Sequence, residues 1–279
     1  MTVKVVTDSI ADLPSRVTQE LGITVIPLHV RFGTEVYRDG VDLTAEQFYE
    51  RLVYSKVLPV TSVPSPGAFA ETYNKLAEEA DGILVISVTS KLSGTHEVAL
   101  QSIGLMKKKC RVEVVDSQSG VMAQGFIVIA AARAAKAGAG LDEVLDIVRH
   151  NIPRVNLFAA FDTLEYLKRG GRIGKAQALL GSVLKINPII GMKDGEVFPL
   201  GRERSRARAI DQLYKFVMSY SRIEELAIEY ATARDEAEML AERFSVKFPK
   251  QRIYLTRASP VIGTHTGPSL LVVSVLGDR

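Results

Sequence analysis

The 279-residue sequence holds one cysteine, Cys110, so no disulfide can form within the chain, and a reducing compartment suits it. Its four histidines, His29, His96, His150 and His265, show no metal-ligand spacing such as His-Glu-x-x-His, and one thiol supplies no cluster, so no metal is expected. Neither Gly-x-Gly-x-x-Gly nor Gly-x-x-x-x-Gly-Lys-Ser/Thr occurs, which removes the usual evidence for dinucleotide or P-loop nucleotide binding. No uninterrupted apolar run is long enough to span a bilayer, and Met1-Thr2-Val3-Lys4 leads straight into a strand pattern without the apolar core of a signal peptide. A cytoplasmic protein is expected. The formal charge of +3 is too small an excess to imply a nucleic-acid partner.

What is present is ordinary globular composition, 47% hydrophobic and 24% charged, which excludes a disordered or fibrous chain. The length suits two domains, and Pro153 places the boundary near residue 150, giving units 1–150 and 151–279. In the first, Val3-Lys4-Val5-Val6 predicts a strand, a helix closes near Gly22, and residues 23–30 read as the next strand. Thr44-Ala45-Glu46-Gln47 is a capping box, and Ser65-Pro66 starts a helix with a cap and a first-turn proline. Residues 82–88 have the continuous apolar look of a strand buried on both faces, 112–115 follow as another strand, and helices are expected over 125–137 and 141–152. Strands alternating with helices argue for an α/β unit with a parallel sheet. The second unit reads as α+β: a strand over 157–161, a hairpin turning at Asp194-Gly195, strands over 226–230, 252–255 and 270–276, and helices near 205–221 and 234–247.

Three stretches combine hydroxyls with Gly or Pro: residues 61–67, 90–95 and 259–268. Each reads as a loop able to place small hydrogen-bonding groups around an anion. Ser93 lies beyond the carboxyl end of the 82–88 strand, where ligands of parallel sheets gather; the same position would let it cap the next helix. Thr61 reads equally as a ligand contact or a turn residue, and His265, between Gly263 and Gly267, as a ligand contact or a structural histidine. Asp8 and Asp116 also follow strands, where such Asp-Ser pairs more often cap a helix or close a loop than act as acid or base. Lys107-Lys108-Lys109 and residues 202–208, with Arg202, Arg204, Arg206 and Arg208, are basic clusters without interleaved aromatics, better explained as solvated faces than as a nucleic-acid site.

Taken together, Thr7-Asp8-Ser9, Thr61-Ser62-x-Pro64-Ser65-Pro66-Gly67, Ser90-x-Leu92-Ser93-Gly94-Thr95, Asp116-Ser117, Leu164 to Ile173 and Gly263-Thr264-His265-Thr266-Gly267-Pro268 resemble, in this order and over essentially the whole chain, the DegV family. These are bacterial fatty-acid-binding proteins that include the lipid-carrying subunit of fatty acid kinase. The resemblance implies a three-layer α/β unit followed by an α+β unit, with a long-chain fatty acid in the cleft between them. Its carboxylate would be held by Thr61, Ser62, Ser93, Gly94, Thr95, His265 and Thr266, with Arg172 and Arg202 near the headgroup or a partner. Phe158, Phe161, Leu184, Ile186, Ile189 and Ile190 would line the acyl tunnel. The resemblance further implies a carrier without catalysis of its own and without a cofactor, whose partners are the fatty acid, an ATP-dependent fatty acid kinase subunit and, transiently, a membrane surface. Ser269 and Leu271-Val272-Val273 depart from the family pattern and bear on the width of the pocket under His265. The alternative is a Ser-His hydrolase built on Ser93 and His265, although a Gly-x-Ser-x-Gly elbow is absent.

Overall fold

Gly82–Ser87 is buried at every position, and its side chains alternate between two apolar layers. Ile83 and Val85 pack with Val6, Phe69, Tyr73 and Ala99 on one side, whereas Leu84 and Ile86 pack with Val5, Ile127, Val128 and Val144 on the other. This is the consequence of a two-residue period in a sheet covered on both faces by helices. The computed structural model describes residues 2–180 and 186–279. It places Thr24–Ile26, Val3–Asp8, Gly82–Ser87 and Arg111–Asp116, in that order, in an all-parallel sheet. Helices Pro66–Leu76 and Thr95–Ile103 cover one face, and Val121–Lys136 and Leu141–Asn151 the other. The helix Val121–Lys136 is buried on more than one side, because Met122, Phe126 and Ile129 turn away from this sheet to meet Ala227 and Leu276 of the next.

A six-stranded mixed sheet follows in the order Glu196–Glu203, Asn187–Lys193, Val155–Ala160, Leu271–Asp278, Arg222–Tyr230, Ile253–Arg257. Only its last pair is parallel. Helices Arg206–Met218 and Arg234–Phe244 cover one face through Phe158, Ile189, Leu213, Leu240 and Phe244, and the opposite face looks toward the parallel sheet. The architecture is thus mixed α/β, a parallel sheet followed by a mixed one, as the sequence implies. Among the described residues no helix is long and apolar enough to cross a membrane.

Local signals explain most elements. Thr44 and Gln47 close the capping box reciprocally at 3.3 and 3.0 Å, and Ser65 Oγ accepts from Ala68 N at 3.2 Å with Pro66 at the first helical position. Three expectations need correction. Residues 23–30 are not one strand: Pro27 interrupts them, so Thr24–Ile26 joins the parallel sheet while His29–Phe32 enters a separate antiparallel sheet with Glu35–Arg38 and Val60–Ser62. The Ala-rich helix starts at Val121 instead of Gly125. Residues 259–268 are not a loop, since Pro260–Thr266 is a helix with Pro260 in its first turn and Gly267 at φ +75° ending it.

Candidate functional site

Between the two large sheets lies a mostly apolar cavity of about 120 Å³. Its walls are Ile10, Leu28, Val88, Leu92 and Val121 from the first half of the chain, and Leu157, Ala159, Phe161, Ile190, Met192, Val197, Val261, Leu270 and Val272 from the second. Among the described residues, the side chains that bring polarity to this lining are Thr61, Ser93, Arg172, His265 and Thr266, and no carboxylate is among them.

Those polar groups are neighbours. Thr61, in the strand Val60–Ser62 and paired with Val30, shares a 2.8 Å hydrogen bond between its Oγ1 and His265 Nε2. His265 sits in the last turn of the helix Pro260–Thr266, and two glycines let that helix approach its surroundings. A Cβ on Gly263 would stand 2.5 Å from Phe48 Cε1 and 2.7 Å from Tyr49 Oη, and one on Gly267 would enter the Tyr166 ring. On the other side of the imidazole, a Cβ on Gly170 would collide with Nδ1, so the backbone at Gly170 fits only a hydrogen there. Arg172 donates from Nη1 to Gly170 O at 2.6 Å and from Nε to Leu92 O at 3.0 Å, tying its guanidinium between the imidazole and the Ser93 turn. Ser93 Oγ lies 2.8 Å from Thr95 Oγ1 and accepts from Thr95 N at 3.3 Å at the start of the helix Thr95–Ile103.

Burial, aided by the positive charge of Arg172, pushes His265 down to about 4, so its imidazole is neutral at neutral pH. Its Nδ1 is buried and has no partner among the described residues. Three hydroxyls, a neutral imidazole and a guanidinium at an otherwise apolar cavity can accept an anion, and the remaining walls can accept an apolar group. A hydrolytic triad is not assembled: His265 is bonded to Thr61 and not to Ser93, and Ser93 is engaged with Thr95. Asp8 and Asp116 serve as local acceptors, Asp8 for Ile10 N and Val88 N and Asp116 for Ser90 N and Gln118 N. Among the described residues no group of three or more His, Cys, Asp or Glu side chains could hold a metal ion.

The other expected residues divide sharply. Phe161 and Ile190 line the cavity, whereas Phe158 and Ile189 face the helices on the far side of the sheet, Phe158 stacked 4.5 Å from Phe216. The reason is strand alternation: if Leu157 and Ala159 point into the cavity, Phe158 cannot. Ile186 does not reach the lining, and Leu184 lies outside the described residues. Ser62 and Gly94 are exposed, Thr95 is buried behind Ser93, and Arg202 is exposed on the strand Glu196–Glu203, away from the cavity. Ser269 Oγ accepts from Asp162 N at 3.1 Å, and of the following residues Leu270 and Val272 line the cavity while Leu271 and Val273 face the helices. Sequence reasoning missed Gly170 as the seat of the imidazole, and the Gly170-Gly171 pair was the signal available for it.

The family model described as "Uncharacterised protein, DegV family" matches residues 2–278. The chain belongs to the DegV family. Among its relatives, a DegV domain-containing protein of Streptomyces coelicolor is 37% identical over 278 residues, covering 98% of each chain, and the DegV protein of Bacillus subtilis is 32% identical over 275 residues, covering 97% of this chain and 98% of its own. In structure, a DegV-family protein of Thermus thermophilus, described by its fatty acid binding, superposes with a TM-score of 0.91 at 32% identity over 99% of this chain and all of its own. The Bacillus subtilis DegV, described as a fatty acid binding protein, gives 0.92 at 31% identity over the whole of both chains.

Proposed function

We propose that this DegV-family chain binds a long-chain fatty acid, with the carboxylate at Thr61, Ser93, Arg172 and His265 and the acyl tail in the cavity between its amino-terminal and carboxy-terminal units. The carrying observation is the cavity itself, with its polar groups contiguous and its remaining walls apolar. The two DegV-family structures described as fatty-acid-binding support the same reading. The division of labour is physical. Each buried methylene contributes about 0.8 kcal/mol, so the tail supplies most of the affinity, and the hydrogen-bonding groups fix which end enters.

In this reading the chain is a carrier, and a separate ATP-using kinase acts on the carboxyl it presents. Arg202, exposed on a strand away from the cavity, belongs with a partner surface rather than with the headgroup. The test is mass spectrometry of an organic-solvent extract of freshly purified protein, followed by titration with oleate. A stoichiometric long-chain fatty acid in the extract is expected; an empty extract together with no uptake of oleate overturns the proposal.

A further inference from the structure

Behind the cavity wall, away from the headgroup, four carboxyl side chains meet where the two large sheets approach one another. Asp8 ends the strand Val3–Asp8, Asp12 follows in a left-handed conformation at φ 47°, Asp39 follows the strand Glu35–Arg38, and Glu229 lies in Arg222–Tyr230. Asp8, Asp39 and Glu229 are 1%, 3% and 0% exposed. Each accepts from backbone amides of the wall or its immediate neighbours. Asp8 accepts from Val88 N at 2.7 Å and Ile10 N at 3.1 Å, Asp39 from Val261 N at 3.4 Å, Glu229 from Met122 N at 3.1 and 3.2 Å, and Asp12 from Ser259 N at 3.2 Å. Ile10, Val88 and Val261 line the cavity, and Met122 follows Val121, which also does. The apolar wall therefore hangs from buried acids.

These acids face one another with little to offset their charge. Asp12 faces Glu229, and Asp39 faces Asp12 and Asp8. Ser274 Oγ donates to Glu229 at 3.1 Å, Gln124 Nε2 donates to Asp8 at 3.3 Å, and Ser9 and Ser259 face Asp39. From the helix Ala45–Tyr54, the buried Tyr49 hydroxyl faces Asp12, Asp39 and Glu229. The nearby cation is Arg257, stacked 5.2 Å over the Tyr49 ring, bonded to Ala231 O and paired with Glu46 at 3.5 Å. Asp12 Oδ1 and Asp39 Oδ2 have no donor among the described residues. Burial pushes Asp8 up to about 6, Asp39 up to about 7 and Glu229 up to about 8, and burial with the charge of Glu229 raises Asp12 well above the carboxylate range.

We propose that Asp39 and Glu229 are positioning residues of the cavity, acting through the backbone amides of its wall, and that the proton held at the Asp12–Glu229 contact links cavity occupancy to pH. Losing that proton to solvent leaves two carboxylates facing each other in a water-poor site. Their repulsion drives Arg222–Tyr230 away from the segment that follows Val3–Asp8, and the wall amides move with them. This inference rests on the fatty-acid reading of the cavity, and its test separates the two.

Oleate affinity is measured between about pH 6 and about pH 9, on the alkaline side of the His265 titration, for the parent and for Glu229→Gln and Asp39→Asn. The parent is expected to lose about tenfold or more in affinity across that range. Glu229→Gln, which keeps the shape without the titrating proton, removes most of that loss, and Asp39→Asn lowers affinity while reducing the slope. The ionisation of oleate itself is common to all three proteins and cancels in the comparison. If the variants fail to fold, calorimetry of oleate binding to the parent at about pH 8, in buffers of different ionisation enthalpy, replaces them, with net proton uptake expected. Binding of oleate with no proton exchange, or an equal slope in parent and Glu229→Gln, overturns the proposal and leaves the fatty-acid reading intact. Failure of oleate to bind at any pH overturns both.

Discussion

At the scale of single residues, the headgroup end depends on groups that are small or neutral for a reason. In the proposed fatty-acid site Thr61→Val and Ser93→Ala would each remove a donor to the carboxylate, and a charge-assisted hydrogen bond is worth about 1.5–3 kcal/mol, so fatty-acid affinity should fall by about tenfold to a hundredfold with the melting temperature nearly unchanged. Competition with a fluorescent fatty acid measures it, and parental affinity in both variants would remove these residues from the site. Gly170→Ala makes a sterically different demand: the helical backbone there accepts alanine, but the new methyl group occupies the place of the His265 ring. The imidazole must then leave Thr61, and affinity is expected to fall at least as far as in Thr61→Val. A Gly170→Ala protein that binds normally would show that the imidazole is free to sit elsewhere.

At the scale of elements, the strand Val155–Ala160 separates two jobs by parity. Phe158→Ala opens a hole among Phe216, Leu213 and Val273 and should cost about 3–5 kcal/mol of stability, read by denaturant unfolding, with the ligand still bound. Ala159→Phe fills the cavity from its wall, and should abolish fatty-acid uptake with little loss of stability. If Phe158→Ala emptied the cavity, the facing of this strand would be wrong. The same parity marks what could be read from the sequence. The buried run 82–87, the two helix caps and the hairpin at Asp194-Gly195 announce themselves because their signals are local. Which alternate residues of 155–160 and 187–193 face a ligand is decided by what each sheet face meets, and that is set by helices distant in sequence. Glu229 shows the limit, since a charge within Leu226-Ala227-Ile228-Glu229-Tyr230 reads as the exposed side of a strand, yet it is wholly buried because the helix Val121–Lys136 brings an amide to it. The helix Pro260–Thr266 was legible in its Ser259-Pro260 start, the same signal that correctly marks Ser65-Pro66.

At the scale of the whole molecule, buried titratable groups set the pH at which the fold is strongest. Burial raises Asp8, Asp39 and Glu229, so the native state holds protons that the unfolded chain gives up, and their contribution is full below about 4 and is lost as pH rises through 6 to 8. His265, pushed down, acts oppositely, weakening the fold as pH falls from about 6.5 toward 4. Three acids outweigh one imidazole, so thermal melts across pH should show maximal stability on the acid side of neutrality; a maximum above neutrality would contradict the burial of these groups. The order of the mixed sheet has a further consequence, in the time course of biosynthesis. Its strand Leu271–Asp278 inserts between Val155–Ala160 and Arg222–Tyr230, both of which leave the ribosome well before it. Until it arrives, the nascent chain carries two unjoined sheet fragments with open edges, and Leu270 and Val272 are missing from the cavity wall. The cavity is thus closed only once Leu271–Asp278 has been made, and a ribosome that stalls before Leu271 releases a chain whose exposed edges are substrates for chaperones and proteases.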